Sequence, residues 1–424
     1  TLSMTEKLLQ FIWQFQYFNL NELKLQSGED LRIIFPGQFN SNQGPDFSEA
    51  RIYIDKTLWA GNIELHINSS DWNKHSHDTD KNYDNVILHV VWEDDKSNAT
   101  KNIPVLVLNN RVSKLLLNKY EELMNNKFFI PCEKNIQSVT EIIWISWKER
   151  LLVERLQKKN KVIENYLSQN TYHWEETLWW LIAKNFGIKI NAEAFEAIAK
   201  TVSTNILAKH KNNIHQLEAL LLGQAGLLEN EFAEDYPIML RKEYYFLKKK
   251  YKLSPINQPV HFLRMRPGNF PTVRLAQLAM LIHQSLHLFS KIIEIKNVDE
   301  IKKLLSVTAN DYWHYHYRFD ETSAFKKKNL GLQMVNNIII NTIIPIVFAY
   351  GNFKNEPAYK TKALQWLEQL SPEKNSIIAG WENINIENKN AFDSQSLLEL
   401  KNNYCDKKRC LECAVGNALL KKSL

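Results

Sequence analysis

Ala50-Arg51-Ile52-Tyr53-Ile54-Asp55-Lys56-Thr57-Leu58-Trp59-Ala60-Gly61-Asn62-Ile63-Glu64-Leu65-His66 decides how the front of this chain folds. Two short apolar runs flank Asp55-Lys56, a pair suited to a tight turn, so the stretch predicts a β-hairpin. Side chains alternate along a strand, so Glu64 and His66 point to one face and can share one ligand. Working outward, residues 31–35, 86–92 and 105–108 are apolar runs of strand length bounded by turn residues. A helix from Thr5 to about residue 17 precedes them, with Thr5 as its cap and Leu8, Leu9, Ile12, Trp13 and Phe15 at partly helical spacing.

After Ser138 the alternation stops. Residues 142–166, 175–186, 192–208 and 214–227 read as long amphipathic helices, and a turn-rich stretch at 255–271 divides the region. The expectation is an α+β protein with a β-rich α/β domain at 4–135, a helical domain at 139–255 and a second helical part at 256–424. No repeat of fixed period and no low-complexity tract is present. The chain of 424 residues is 44% apolar, enough to bury two or three cores.

Thr1-Leu2-Ser3 ahead of Met4 reads as a cloning remnant, so the working start is Met4. No charged, then apolar, then small-residue leader opens the chain. The most apolar run, 338–350, is short and broken by Asn341, Thr342 and Pro345. These features predict a cytoplasmic protein with no membrane partner; they leave its oligomeric state unknown. Net charge is +6 but unevenly placed: residues 1–130 carry 13 Lys and Arg against 17 Asp and Glu, leaving 40 against 30 for the rest. An acidic front suits a divalent cation, and a basic body suits a polyanion such as DNA or RNA, or is simply surface lysine.

The densest polar chemistry lies in Gln43-Gly44-Pro45-Asp46-Phe47 and Glu64-Leu65-His66. A strand or turn carrying Asp46 beside Glu64 would make a two-carboxylate site for Mg²⁺ or Mn²⁺ with room for water and phosphate. Four of the twelve histidines, His66, His75, His77 and His89, fall within 24 residues. His75 and His77 are candidate metal ligands or members of a solvated turn; His89 reads as a hydrogen-bonded core histidine. The order Pro-Asp, hairpin, acidic-any-basic resembles the PD-(D/E)XK nuclease superfamily. That resemblance implies a PD-(D/E)XK-like core followed by a large all-α region, Asp46 and Glu64 as metal ligands, and His66 in the place usually held by a water-activating lysine. A cupin-like barrel binding metal through Glu64, His66, His75 and His77 is a rival, but cupins usually carry His-x-His ahead of the glutamate.

Three of the four cysteines form Cys405-x-x-x-x-Cys410-x-x-Cys413, and the fourth, Cys132, follows the strand-rich region. This grouping points to a structural site for zinc or an iron–sulfur cluster. One upstream and three C-terminal cysteines are similar to the iron–sulfur members of the nuclease superfamily, though here they also bracket the helical region. In that region Arg264, Arg266, Asn269 and Arg274 surround a basic turn leading into a helix, a candidate nucleic-acid phosphate contact or a brace for the turn. The aromatic run 312–319 ahead of Lys326-Lys327-Lys328 reads as a base-stacking surface or as core.

Gly44-Pro45-Asp46-Phe47, Glu64-Leu65-His66, Ser70-Asp71-Trp72, Ile130-Pro131-Cys132-Glu133, residues 266–278 and the terminal cysteines together resemble an uncharacterised bacterial family, domain of unknown function 2851. The resemblance supplies no activity. The sequence therefore predicts a metal-dependent nuclease with a helical substrate-binding region, or a non-catalytic nucleic-acid-binding or assembly protein on a degenerate nuclease-like core, and leaves open DNA against RNA and cleavage within a strand against cleavage from an end.

Overall fold

The computed structural model describes residues 4–422 except 41–42, 76, 78–79, 97–102, 264 and 286. It is α+β, about 56% helical and 12% strand. The chain divides into two compact units, residues 1–150 with 398–424, and residues 151–397. It passes between them within α4 (Glu141–Gln169) and within the helix Ala391–Leu400.

The first unit opens with α1 (Glu6–Gln14), which Thr5 caps by accepting a bond from Leu8 N–H, and which buries Leu8, Leu9, Phe11, Ile12 and Trp13. Strands β1 (Leu31–Phe35), β2 (Gln38–Phe39), β3 (Phe47–Ile54) and β4 (Thr57–Asn68) follow. A short α2 (Asp71–Lys74) then leads to β5 (Val86–Glu93), β6 (Val105–Val107) and α3 (Lys114–Asn125). The sheet order is β1-β3-β4-β5-β6, with β2 added to β3. β1 and β4 run antiparallel to β3, whereas β5 is parallel to β4 and β6 parallel to β5. The expected hairpin is there, with Ile54 facing Thr57 across Asp55-Lys56 and Asp55 at φ 49°. Aspartate tolerates that left-handed region better than most residues.

Two local features aim the site. The β3–β4 ladder slips between Phe47 and Ala50, where Glu49 takes φ 59°; a bulge of this kind turns the strand end and re-aims the residue before it, Asp46. At Gly61 a β-carbon would lie 2.5 Å from Ile87 Cγ2 and 2.6 Å from the Asn85 carbonyl oxygen. Only glycine lets β5 start so close to β4, which sets Glu64 opposite His89 in the parallel ladder. Ile63 and Leu65 are buried on one face of β4, and Glu64 and His66 are buried on the other.

The second unit is helical apart from a two-stranded ribbon, His316–Arg318 with Glu321–Thr322. One continuous apolar cluster runs through it, from Leu152 and Phe186 through Leu221 and Leu247 to Leu275, Val347 and Trp366. Residues on both sides of the 255–271 stretch share that core, so the expected boundary at 255 is not a division between units. Likewise residues 398–424 belong with the sheet, not with a second helical part. The run Leu332–Lys354 has the length and composition to cross a bilayer, but 67% of its most apolar window is buried within the protein, as befits a core helix.

Candidate metal centre

Strand alternation carries Glu64 and His66 to the same face of β4, and both are buried, with relative exposures of 6% and 1%. The loop after β4 folds back over them. Trp72 of α2 is buried against the rings of His66, His77 and His89, with centroids 6.3, 5.2 and 5.1 Å away. Tyr83 stacks on His77 at 3.8 Å.

This packing brings four donor atoms together. His66 Nε2 lies 3.1 Å from His75 Nδ1 and 3.6 Å from Glu64 Oε1, and His77 Nε2 lies 3.5 Å from the same carboxylate oxygen. The three imidazoles each offer a nitrogen within 4.8 Å of the others. Ligand atoms roughly 2.0–2.1 Å from a tetrahedral ion stand about 3.4 Å apart. The His66–His75, His66–Glu64 and His77–Glu64 separations are each near that value. His66 Nδ1 meets His89 Nε2 at 2.9 Å, the kind of contact that fixes a ligand's tautomer and ring plane.

Asp46 stands beside this group. Its backbone N–H donates to Glu64 Oε2 at 3.0 Å, while its own carboxylate accepts from Leu65 N–H at 3.2 Å and from Gln10 Nε2 at 2.8 Å. Burial pushes the Asp46 carboxyl up to about 6. Burial and then the neighbouring Asp46 charge push Glu64 up to about 8. Burial and the surrounding imidazoles push His66 down to about 3, and burial and His77 push His89 down to about 4. Such carboxyls and neutral imidazoles are groups whose ligating forms a bound cation would favour. Nitrogen and carboxylate donors in this proportion suit Mn²⁺ or another first-row metal better than Mg²⁺, which prefers oxygen.

Of the residues singled out in the sequence, the structure brings together Asp46, Glu64, His66, His75, His77 and His89. Gln10 and Tyr83 were not anticipated, nor was Glu6, whose charge raises both carboxyls. Glu6 and Gln10 are four apart on α1 and so share a helix face, the one signal that pairs them. All four cysteines lie in the first unit, outside this site.

In the helical unit Arg274 is buried, donating to Gln277 Oε1 at 3.0 Å and Asn269 Oδ1 at 2.6 Å. Arg274 and Asn269 thus brace the turn before the helix Pro271–Gln284 and do not present a basic surface. Arg266 is exposed, and Arg264 lies outside the described residues. In the aromatic run, Trp313 is fully buried, and Tyr312 stacks between Tyr236 and His316 at 4.2 and 4.0 Å. These rings pack inward, whereas Tyr315 of the same run is exposed.

The fold and site define an α+β protein with a histidine–carboxylate donor cluster on an open mixed sheet. That sheet is not the double-sheeted barrel of a cupin, although the donors are the ones a cupin reading requires. The family described as protein of unknown function DUF2851 matches residues 6–376, and the chain belongs to that family. Comparison with curated proteins and with solved structures finds no match.

Proposed function

We propose that this protein is a metal-dependent phosphodiesterase acting on DNA or RNA, with Glu64, His66, His75 and His77 holding a divalent first-row metal and Asp46 working beside it. The observation that carries the reading is three imidazole nitrogens within 4.8 Å of one another, with Glu64 Oε1 3.6 and 3.5 Å from two of them and a second, separately oriented carboxylate beside it. The order of parts also supports it. A Pro-Asp at the head of β3, a hairpin and Glu-x-His on β4 follow the order on which the PD-(D/E)XK resemblance rests.

A bound divalent metal supplies a Lewis acid for a phosphoryl oxygen and makes water a better nucleophile near neutral pH. The chain's own groups do the rest. His66 Nδ1 is taken by His89, which leaves Nε2 as the ligand atom and no nitrogen free to act as a base. The proton-accepting role falls to Asp46, whose carboxylate is fixed by Gln10 and Leu65 and whose raised pKa near 6 suits exchange with water at neutral pH. His75 is exposed and His77 half-buried, so substrate has access from that side.

The test is cleavage of single- and double-stranded DNA and RNA with Mn²⁺, comparing wild type with Asp46→Ala and Glu64→Ala. The expected result is Mn²⁺-dependent cleavage that falls by about 10² to 10⁴ in D46A and is abolished with metal binding in E64A. A wild type as inert as both variants with every divalent metal overturns the enzymatic reading; nucleic-acid binding without cleavage would then identify a non-catalytic binding protein.

A further inference from the structure

The chain's four cysteines come from segments more than 270 positions apart, yet all lie in the first unit and none is in a disulfide. Cys132 precedes a 3-10 turn, Glu133–Ser138. Cys405 closes a turn of π-helix, Lys401–Cys405, a local distortion often found at functional positions. Cys410 opens the 3-10 turn Cys410–Glu412, and Cys413 caps the helix Ala414–Lys421. Cys132, Cys410 and Cys413 are 7–8% exposed. Each of Cys132, Cys405 and Cys410 feels the charge of others in the set, so the four cysteines lie near one another.

Burial pushes all four thiols above their ordinary value, so they are groups that a bound metal would ionise. The Cys413 sulphur accepts from the backbone N–H groups of Val415 and Gly416. These two donors favour the ionised form of Cys413 against the larger opposing effect of burial. Four buried thiolates around one point repel one another unless a cation sits among them. The backbone is also built for closeness: a β-carbon on Gly416 would fall 2.2 Å from the Cys410 carbonyl oxygen. The loop bearing Cys132 is pinned by Asn126 Nδ2 donating to the Pro131 carbonyl at 2.8 Å and by Phe129 N–H donating to Glu133 Oε2 at 2.9 Å.

The spacing of the cysteines along the chain favours one of the two candidate metals. A single tetrahedral zinc holds its sulphurs about 3.8 Å apart. Among the described residues, the donor atoms gathered within 4.8 Å are the three imidazoles; no three of the sulphurs are drawn so near. A polynuclear cluster spreads its thiolates over more than one metal atom, and Cys-x₄-Cys-x₂-Cys with one distant cysteine is a spacing that iron–sulfur proteins use. We propose that Cys132, Cys405, Cys410 and Cys413 ligate an iron–sulfur cluster that fastens the C-terminal segment to the loop after α3.

The experiment is metal analysis of the full-length protein purified without oxygen, with iron, zinc and acid-labile sulfide measured together and visible absorption recorded before and after dithionite. Iron and sulfide in equal amounts, with a charge-transfer band that bleaches on reduction, is the expected result. C132S and C413S lose the band, whereas H77A and E64A keep it, which separates this centre from the histidine site. Should the serine variants fail to fold, the wild-type analysis still decides. Zinc without sulfide overturns the cluster, and the absence of both metals with four thiols open to a thiol reagent in the native protein overturns the site.

Discussion

The 3.1 Å approach of His66 Nε2 to His75 Nδ1 suits a hydrogen bond between two imidazoles and is also close to the separation of two ligands of one ion. A sharp expectation follows. His75→Ala and His77→Ala each weaken Mn²⁺ binding by at least about tenfold, since removing even a group behind the ligands typically costs 10- to 100-fold. Isothermal titration of the purified chain measures this directly. Unchanged affinity in both variants would dissolve the four-donor set and leave the carboxylates alone. Gln10→Ala, which frees Asp46 on one side, is expected to lower cleavage while leaving metal affinity near that of wild type. Of these residues, Glu64 and His66 were legible as a pair in the sequence because strand periodicity relates neighbours two apart. Gln10 was not, because it reaches Asp46 across 36 positions of chain.

At the scale of elements, the site depends on how closely β5 can lie against β4. Gly61 is the point of closest approach, and any side chain there must push back Ile87 or the Asn85 carbonyl. Gly61→Ala is expected to destabilise the sheet unit by about 1–3 kcal/mol, the usual cost of forcing a methyl group into packed space. Urea unfolding followed by tryptophan fluorescence reads it, and a variant as stable as wild type would mean that β5 yields without cost. The loop between β4 and β5 matters as much. It carries His75, His77 and Tyr83 and is held over the sheet by the buried Trp72. The sequence marked this segment as rich in histidine and turn residues, but turn composition alone fits a solvated loop equally well. What closes it on the sheet is the burial of an indole, a long-range event.

Across the whole molecule, the helical unit contains its own buried acid. Glu218 is fully buried and accepts hydrogen bonds from the Tyr236 hydroxyl and, at 3.2 Å, from the Trp313 indole. Burial pushes its carboxyl up from 4.5 to about 7. A carboxyl whose pKa is raised on folding stabilises the fold fully below its unfolded value, and this contribution is lost as pH rises through the folded value. Wild-type stability is therefore expected to fall between about pH 4.5 and 7 by an amount on the order of 3 kcal/mol. Glu218→Gln removes that slope, whatever constant offset its changed hydrogen bonds introduce. Denaturation at a series of pH values compares the two, and parallel curves would show that Glu218 stays ionised in the fold.

The sequence by itself determined the class of the protein, its hairpin, the pairing of Glu64 with His66 and the switch from strands to helices after Ser138. Each is a local matter: a period of two or 3.6, a turn pair, a cap. Only the tertiary structure decided that His75, His77 and His89 gather around His66, that Arg274 braces a buried turn, and that residues 398–424 return to the sheet unit. It also merged the two expected helical parts into one, because a shared apolar core ignores a turn-rich stretch of chain. These outcomes depend on which distant surfaces bury one another, and burial of that kind leaves no periodic trace in the sequence.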